Sequence, residues 1–307
     1  MVNNFVCFAQ INHFFGNVVK VLKKRVKYLF LPFWILAPWR HELRQMTDFK
    51  TLSPEKLRAA CRDGTFDGPT SGYAPGFVQA NLVILPSSFA EEFEEFCKKN
   101  PQPCPVLEVL SAGDFEVNKI APEADIRTEL PRYRIFRNGR PQFEATDILD
   151  LWNGDLVTFL LGCSFVAEDA LLKAGLLLPH ILETGFVPMY RTTVPCESAG
   201  RFEGTMVVSM RPFESEEAER AADITKNYPM AHGAPIHTGD PAILGIEDLN
   251  NPEFGEPVTM SPEQVPVFWA CGVTPQIAIA NAKPPIAITH APGHMFVADI
   301  TSESTRI

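Results

Sequence analysis

The chain has 307 residues, 46% hydrophobic and 21% charged, which gives ample apolar material to bury and excludes disorder as the main state. Its 27 prolines, about 9% against a usual level of about 5%, come without a Gly-x-y period. That excludes collagen and predicts many fixed turns. A net charge of −10 and a pI near 5.2 exclude a sequence-independent nucleic-acid binder, which needs a basic footprint.

Charge is unevenly placed. Residues 1–45 hold seven Lys/Arg and a single acid, Glu42; the rest carries 20 bases and 36 acids, a net of −16. The apolar stretch 26–39 is shorter than the roughly 20 residues a membrane span needs, and Pro32 and Pro38 interrupt it. Its flanks do not follow the order of a secretory signal. The simplest reading takes Met46 as the natural start and 1–45 as an extension, with targeting or membrane association as alternatives. Seven cysteines, at 7, 61, 97, 104, 163, 196 and 271, form no C-x-x-C. Free thiols in a reducing, cytoplasmic compartment account for them.

In chain order, Ser53-Pro54-Glu55 predicts a helix that ends at Gly64. Residues 79–86 read as a buried strand stopped by Pro86. Ser88 and Glu91 read as a capping box for a helix with Phe89, Phe93, Phe96 and Cys97 inward. A strand is expected at 105–110, and Asn138-Gly139 signals a hairpin after a strand at 132–137. Residues 155–161 and 166–174 are expected as two helices flanking a Gly162-Cys163-Ser164 break. Strands follow at 205–210, 265–270, 286–289 and 295–300, with helices at 215–228 and 275–282. Buried strands alternating with helices give an α/β sheet covered on both faces. The expected division is an extension 1–45, a main α/β domain of 46–103 plus 151–307, and a small α+β domain at 104–150.

Chemistry is expected at four places. In 265–276 a buried strand ends at Cys271-Gly272 and a helix starts at Thr274, an arrangement that favours an anion; Cys271 there is a candidate low-pKa thiol. In 283–295 a strand delivers His290 into a Pro292-Gly293 turn that returns His294, a candidate acid/base pair. The loop 232–244 holds His232, His237 and Asp240, a ligand set for a divalent metal or an oriented base. Arg127, Arg132, Arg191 and Arg211 lie in or beside apolar strand-like segments, Arg191 next to Tyr190. Together they point to a small anionic carboxylate substrate. G-x-x-x-x-G-K-[ST], G-x-G-x-x-G and G-x-S-x-G are absent, which weighs against a nucleotide site and a serine hydrolase.

The segments 68–86, 104–110, 125–139, LGCSF at 161–165, 187–192, 206–212, HGAPIHTGDPAILGI at 232–246, 265–276 and KPPIAITHAPGHM at 283–295 together resemble the D-glutamate cyclase family. The likeness runs over about 48–300. It implies an α/β fold with a three-layer mixed-sheet domain and a smaller α+β domain inserted. It also implies a lyase losing water from a small amino or carboxylic acid, with D-glutamate to 5-oxo-D-proline as the characterised case. No catalytic residue is carried over from it. No organic cofactor is required. Arg191 and Arg211 are then expected to clamp carboxylates, with Gly272–Thr274 holding an oxyanion. The alternatives are a non-catalytic binding protein for an acidic metabolite and a cofactor-free racemase or isomerase using Cys163 and Cys271. A homodimer is compatible with either.

Overall fold

The longest apolar run, FVQANLVILP, is the central strand of the molecule. The computed structural model describes residues 51–183 and 185–307; Cys7, the 26–39 stretch and Met46 lie outside the described residues. That run forms β1 (Phe77–Pro86), which is buried along nearly its whole length. Alternation splits its side chains: Leu82 and Ile84 enter one apolar cluster, Val83 and Leu85 the other. A strand buried on both faces has no polar side to show, which is why the sequence reads as a continuous apolar run.

A helix, α1 (Pro54–Arg62), precedes β1, and α2 (Ser87–Lys99) follows it. The helix α2 turns Phe89, Phe93 and Phe96 inward, each contributing about 1.5–3 kcal/mol by burial. The Phe93 ring meets Phe159 edge-on at 4.9 Å. The expected capping box does not form. The helix begins one residue early at Ser87, whose N–H and hydroxyl both bond to Asp155, so Ser88 falls inside the first turn.

Residues 104–150 supply β2 (Val106–Leu110), the short pair β3 (Glu116–Val117) and β4 (Ala124–Asp125), and β5 (Tyr133–Arg137) with β6 (Arg140–Ala145). Asn138 and Gly139 take positive φ, 49° and 76°, and make the foreseen hairpin. Next comes β7 (Leu156–Gly162), where a helix was expected. All seven of its residues are buried, and a short, fully apolar run has no period to separate strand from helix. The β3-β4 pair stands apart; with β12 (Ala287–His290) and β13 (Phe296–Thr301), the other strands form a seven-stranded sheet ordered β2-β7-β1-β12-β5-β6, with β13 also on β1.

The helices α3 (Phe165–Lys173) and α4 (Pro179–Glu183) lead to a four-stranded sheet. It is ordered β10-β11-β9-β8, from β8 (Met189–Pro195), β9 (Thr205–Glu214), β10 (His237–Thr238) and β11 (Gln264–Ala270). Between these strands run α5 (Ser215–Thr225) and, after β11, α6 (Thr274–Ala282). The fold class is α/β as expected, and every strand pairing among the described residues is antiparallel.

Two features position the site. First, β12 and β13 lie along β1, Thr289 opposite Val83 and Phe296 opposite Ala80, so the loop 291–295 interrupts the pairing of β1. Thr70 pins that loop: its N–H donates to Gly293 O at 2.8 Å, and its hydroxyl accepts from Met295 N at 3.0 Å. Second, β7 and β11 belong to different sheets, and each runs directly into a helix.

Candidate active site

The two strand-to-helix junctions are built alike. Cys163 follows β7 and Cys271 follows β11, both buried. A tight turn returns Val166 N to Cys163 O at 3.1 Å and Thr274 N to Cys271 O at 3.0 Å. Two glycines are required by space. A Cβ on Gly162 would strike the Met230 carbonyl, and one on Gly272 would strike the Asn81 side-chain amide. Asn81 donates to Gly162 O at 2.6 Å, so one β1 side chain touches both junctions.

Between the junctions lies a cavity. Its polar wall is Asn81, Ser164, His232 and His290, with the thiols of Cys163 and Cys271. Phe165, Phe186, Val187, Met189 and Met295 give it an apolar cover. Its solvent-sized space is about 40 Å³, and the hollow together with its open mouth takes in about 440 Å³. That admits one or two waters.

The two histidines have opposite tautomers. His290 Nδ1 accepts from Leu82 N at 3.1 Å, filling the place where the β1 ladder is broken by the loop. A neutral ring that accepts at Nδ1 carries its proton on Nε2. His232 Nδ1 instead meets the Gln102 carbonyl at 2.7 Å, and a carbonyl only accepts. Nδ1 of His232 is therefore the protonated nitrogen, and Nε2 is the ring's open acceptor. Burial pushes both imidazoles down to about 4, so both are neutral near pH 7. His232 holds its place in a left-handed backbone, φ 72°, which costs a non-glycine residue about 1–3 kcal/mol and recurs at functional sites.

Behind the cavity sits a buried ionic cluster. The Arg211 guanidinium donates to Glu168 Oε1 from Nη2 at 2.5 Å and to Ser209 Oγ at 3.1 Å. Its Nη2 also reaches Ser164 Oγ at 3.0 Å. His180 Nε2 meets the same Glu168 oxygen at 2.9 Å. Burial opposes the Glu168 charge, but His180 and Arg211 overcome it and hold the carboxyl down at about 2.

Several expectations need correction. Arg211 is not an open carboxylate clamp, because Glu168 already neutralises it. Arg191 is exposed, over the Phe254 ring, and is not among the residues lining the cavity. Arg127 pairs with Asp125 and stacks on Phe115, and Arg132 pairs with Asp67. The Tyr190 hydroxyl donates to Leu249 O at 2.7 Å, a packing role. Thr274 is buried and its hydroxyl accepts from Val207 N, while its own N–H goes to Cys271, so it has no free group for an oxyanion. Burial outweighs the helix start at Cys271 and pushes its thiol up to about 11; Cys163 rises to about 12.

His294 is half-buried, its Nδ1 meets Pro292 O at 2.8 Å, and it stays out of the cavity wall. The expected metal trio does not converge. His237 stacks on Phe268 and bonds to the Asp240 carbonyl, while the Asp240 carboxylate caps a 3₁₀ turn. No group of three or more metal-ligating side chains occurs among the described residues. Sequence reading named His290, Cys271 and Gly272, with Cys163 in its racemase alternative, and gave His232 to a metal trio. It missed Asn81 and Ser164, although LGCSF and WACGVT share a buried cysteine before a helix.

A wider groove of about 660 Å³ is bordered by Glu247 and Asp248; two carboxylates there repel an acidic substrate. No helix among the described residues is long and apolar enough to cross a membrane.

The family profile described as D-glutamate cyclase matches residues 157–299, which include every polar cavity residue except Asn81. A protein of Geobacillus kaustophilus (strain HTA426), named "Putative hydro-lyase", is 52% identical over 258 residues, 84% of this chain and 98% of that protein. One of the same name from Stutzerimonas stutzeri (strain A1501) is 52% identical, covering 84% of this chain and 97% of its own. Another, from Staphylococcus haemolyticus (strain JCSC1435), is 51% identical over 253 residues, 82% of this chain and 97% of its own. With half of its residues shared along nearly the whole length of such relatives, the chain belongs to the D-glutamate cyclase family.

Proposed function

We propose that the cavity is the active site of a hydro-lyase that closes an amino dicarboxylate into a lactam, taking D-glutamate to 5-oxo-D-proline and water. The observation that carries this reading is the pair of neutral imidazoles of opposite tautomer in one narrow, largely buried cavity wall. Cyclisation needs an acceptor for an ammonium proton and a donor for the oxygen that takes up charge. His232 Nε2 is the acceptor. Water exclusion depresses a bound ammonium as it depresses the imidazole, which keeps the transfer within reach. The freed amine attacks the γ-carboxyl carbon, and an N–C bond forms. His290 Nε2–H steadies the developing oxyanion, as a neutral donor does without giving up its proton. One carboxyl oxygen leaves as water, carrying the two hydrogens that the nitrogen gives up. This chemistry needs acid/base and hydrogen-bonding groups only, so turnover is expected to survive exhaustive chelation.

The experiment is proton NMR of purified protein with D-glutamate, L-glutamate and a panel of hydroxy and amino dicarboxylates. Growth of the 5-oxoproline signals from the D enantiomer is expected. Saturable binding with no turnover of any compound would replace the reading by a binding protein. A second reading rests on Cys163 and Cys271 facing one cavity from two junctions: a thiol racemase. It requires α-proton exchange in D₂O that Cys163→Ser or Cys271→Ser abolishes.

A further inference from the structure

We propose that Ser164 is the carboxylate anchor of the cavity, its hydroxyl proton directed to a substrate carboxylate by the Arg211 guanidinium behind it. This rests on the reading of the cavity as a site for an amino dicarboxylate. Ser164 stands at the N-cap of α3, where a serine ordinarily turns its oxygen to the helix amides. Here it does not: its backbone is already helical (φ −59°, ψ −22°), and the side chain makes no capping bond. The oxygen accepts from Arg211 Nη2 instead, at 3.0 Å.

A hydroxyl has one proton and two acceptor sites. With an oxygen site taken by a cation, the proton remains to be donated, and no acceptor for it occurs among the described residues. Ser164 is 8% exposed and lines the cavity, so a bound molecule can take that proton. A hydrogen bond to a hydroxyl already polarised by a cation is stronger than one to a free hydroxyl. The cavity wall itself contains no lysine or arginine. The Arg211 charge is nevertheless felt at Cys271 and His232, on the second junction and the turn opposite, whereas at Cys163 Glu168 outweighs it. Arg211 is thus a positioning residue, itself held by Glu168, and Ser164 carries its effect to the ligand.

The test uses glutarate, a dicarboxylate without the amine and therefore unable to cyclise. Its affinity is measured by calorimetry on the full chain. Wild type is expected to bind it saturably, Ser164→Ala about tenfold or more weaker, and Ser164→Cys, a near-isostere and poor donor, in between. Melting temperatures identify folded variants, and Ser164→Cys serves if the alanine variant is unstable. Arg211→Lys should weaken glutarate in the wild-type background and add nothing on Ser164→Ala, a non-additivity that a purely structural loss does not give. Equal affinity of wild type and folded Ser164→Ala overturns the proposal, as does absence of glutarate binding to wild type. Turnover of D-glutamate is scored separately: its absence with glutarate binding intact counts against the cyclase reading alone.

Discussion

A histidine presents two nitrogens, and the neighbour at one decides the use of the other. Asparagine places its amide atoms where the imidazole has Nδ1, so it can keep that neighbour while removing Nε2. His290→Asn retains an acceptor for Leu82 N, and His232→Asn retains a donor for Gln102 O; asparagine also tolerates the left-handed backbone at 232. Each substitution is expected to slow kcat about 10²–10⁴-fold with little change in Tm. His294→Asn should keep most turnover. Unchanged kcat in the 232 and 290 variants would remove them from the chemistry. Arg191→Lys and Arg127→Lys should leave KM unaltered, since one side chain is exposed and the other pairs with Asp125. A steep rise in KM for either would return the carboxylate clamp to that arginine. Because both working imidazoles are held near 4, kcat should be flat between about pH 5.5 and 7.5. An inflection near 6.5 would point to a histidine with an ordinary environment.

At the scale of elements, the site depends on close approaches that no local pattern encodes. Gly162 lets the Met230 carbonyl press against β7, which brings the 229–233 turn and His232 to the cavity. Gly162→Ala should therefore destabilise the fold by about 1–3 kcal/mol and reduce activity per folded molecule, read together by thermal melting and NMR turnover. Equal activity per folded molecule would show that the approach serves packing only. The strands expected at 79–86, 205–210 and 265–270 were legible from their continuous apolar runs, although the first begins at Phe77 and the second continues to Glu214, and the Asn138-Gly139 hairpin because its backbone needs φ > 0 twice. The strand at 156–162 was not. Its residues are buried on every side, so nothing in their order distinguishes strand from helix. Reading it as a helix kept the Gly162-Cys163-Ser164 break but hid that it is a strand-to-helix junction like the one at Cys271, and with that the role of Ser164. The arginines misled for a related reason: composition counts the acids but does not say that Glu168 lies beside Arg211, or Asp67 beside Arg132.

For the molecule as a whole, the buried titratable groups set its acid tolerance. His232 and His290 are depressed from 6.5 to about 4 in the folded chain, so the unfolded chain takes up protons first as pH falls. Their contribution is intact above about 6.5 and is lost progressively toward 4, by roughly 3 kcal/mol per ring. Glu168 extends the loss from 4.5 down to about 2. The melting temperature should fall steeply between pH 7 and 4.5, and His232→Asn should flatten that slope. An unchanged slope in the variant would mean that the ring meets solvent in the folded chain.

The smallness of the cavity bears on a quantity other than rate. In a chamber with about 40 Å³ of room for solvent, a bound ligand leaves little space for the molecule that the reaction itself releases. Once the departing oxygen escapes, ring opening on the protein must await a replacement from outside. The balance between open chain and lactam while bound is thereby tilted toward the ring, although the equilibrium in bulk solution is untouched. Isotope labelling makes the tilt visible. In oxygen-18 water, glutamate recovered midway through the reaction should carry far less label in its γ-carboxyl than the extent of turnover would give in an open, freely reversing site.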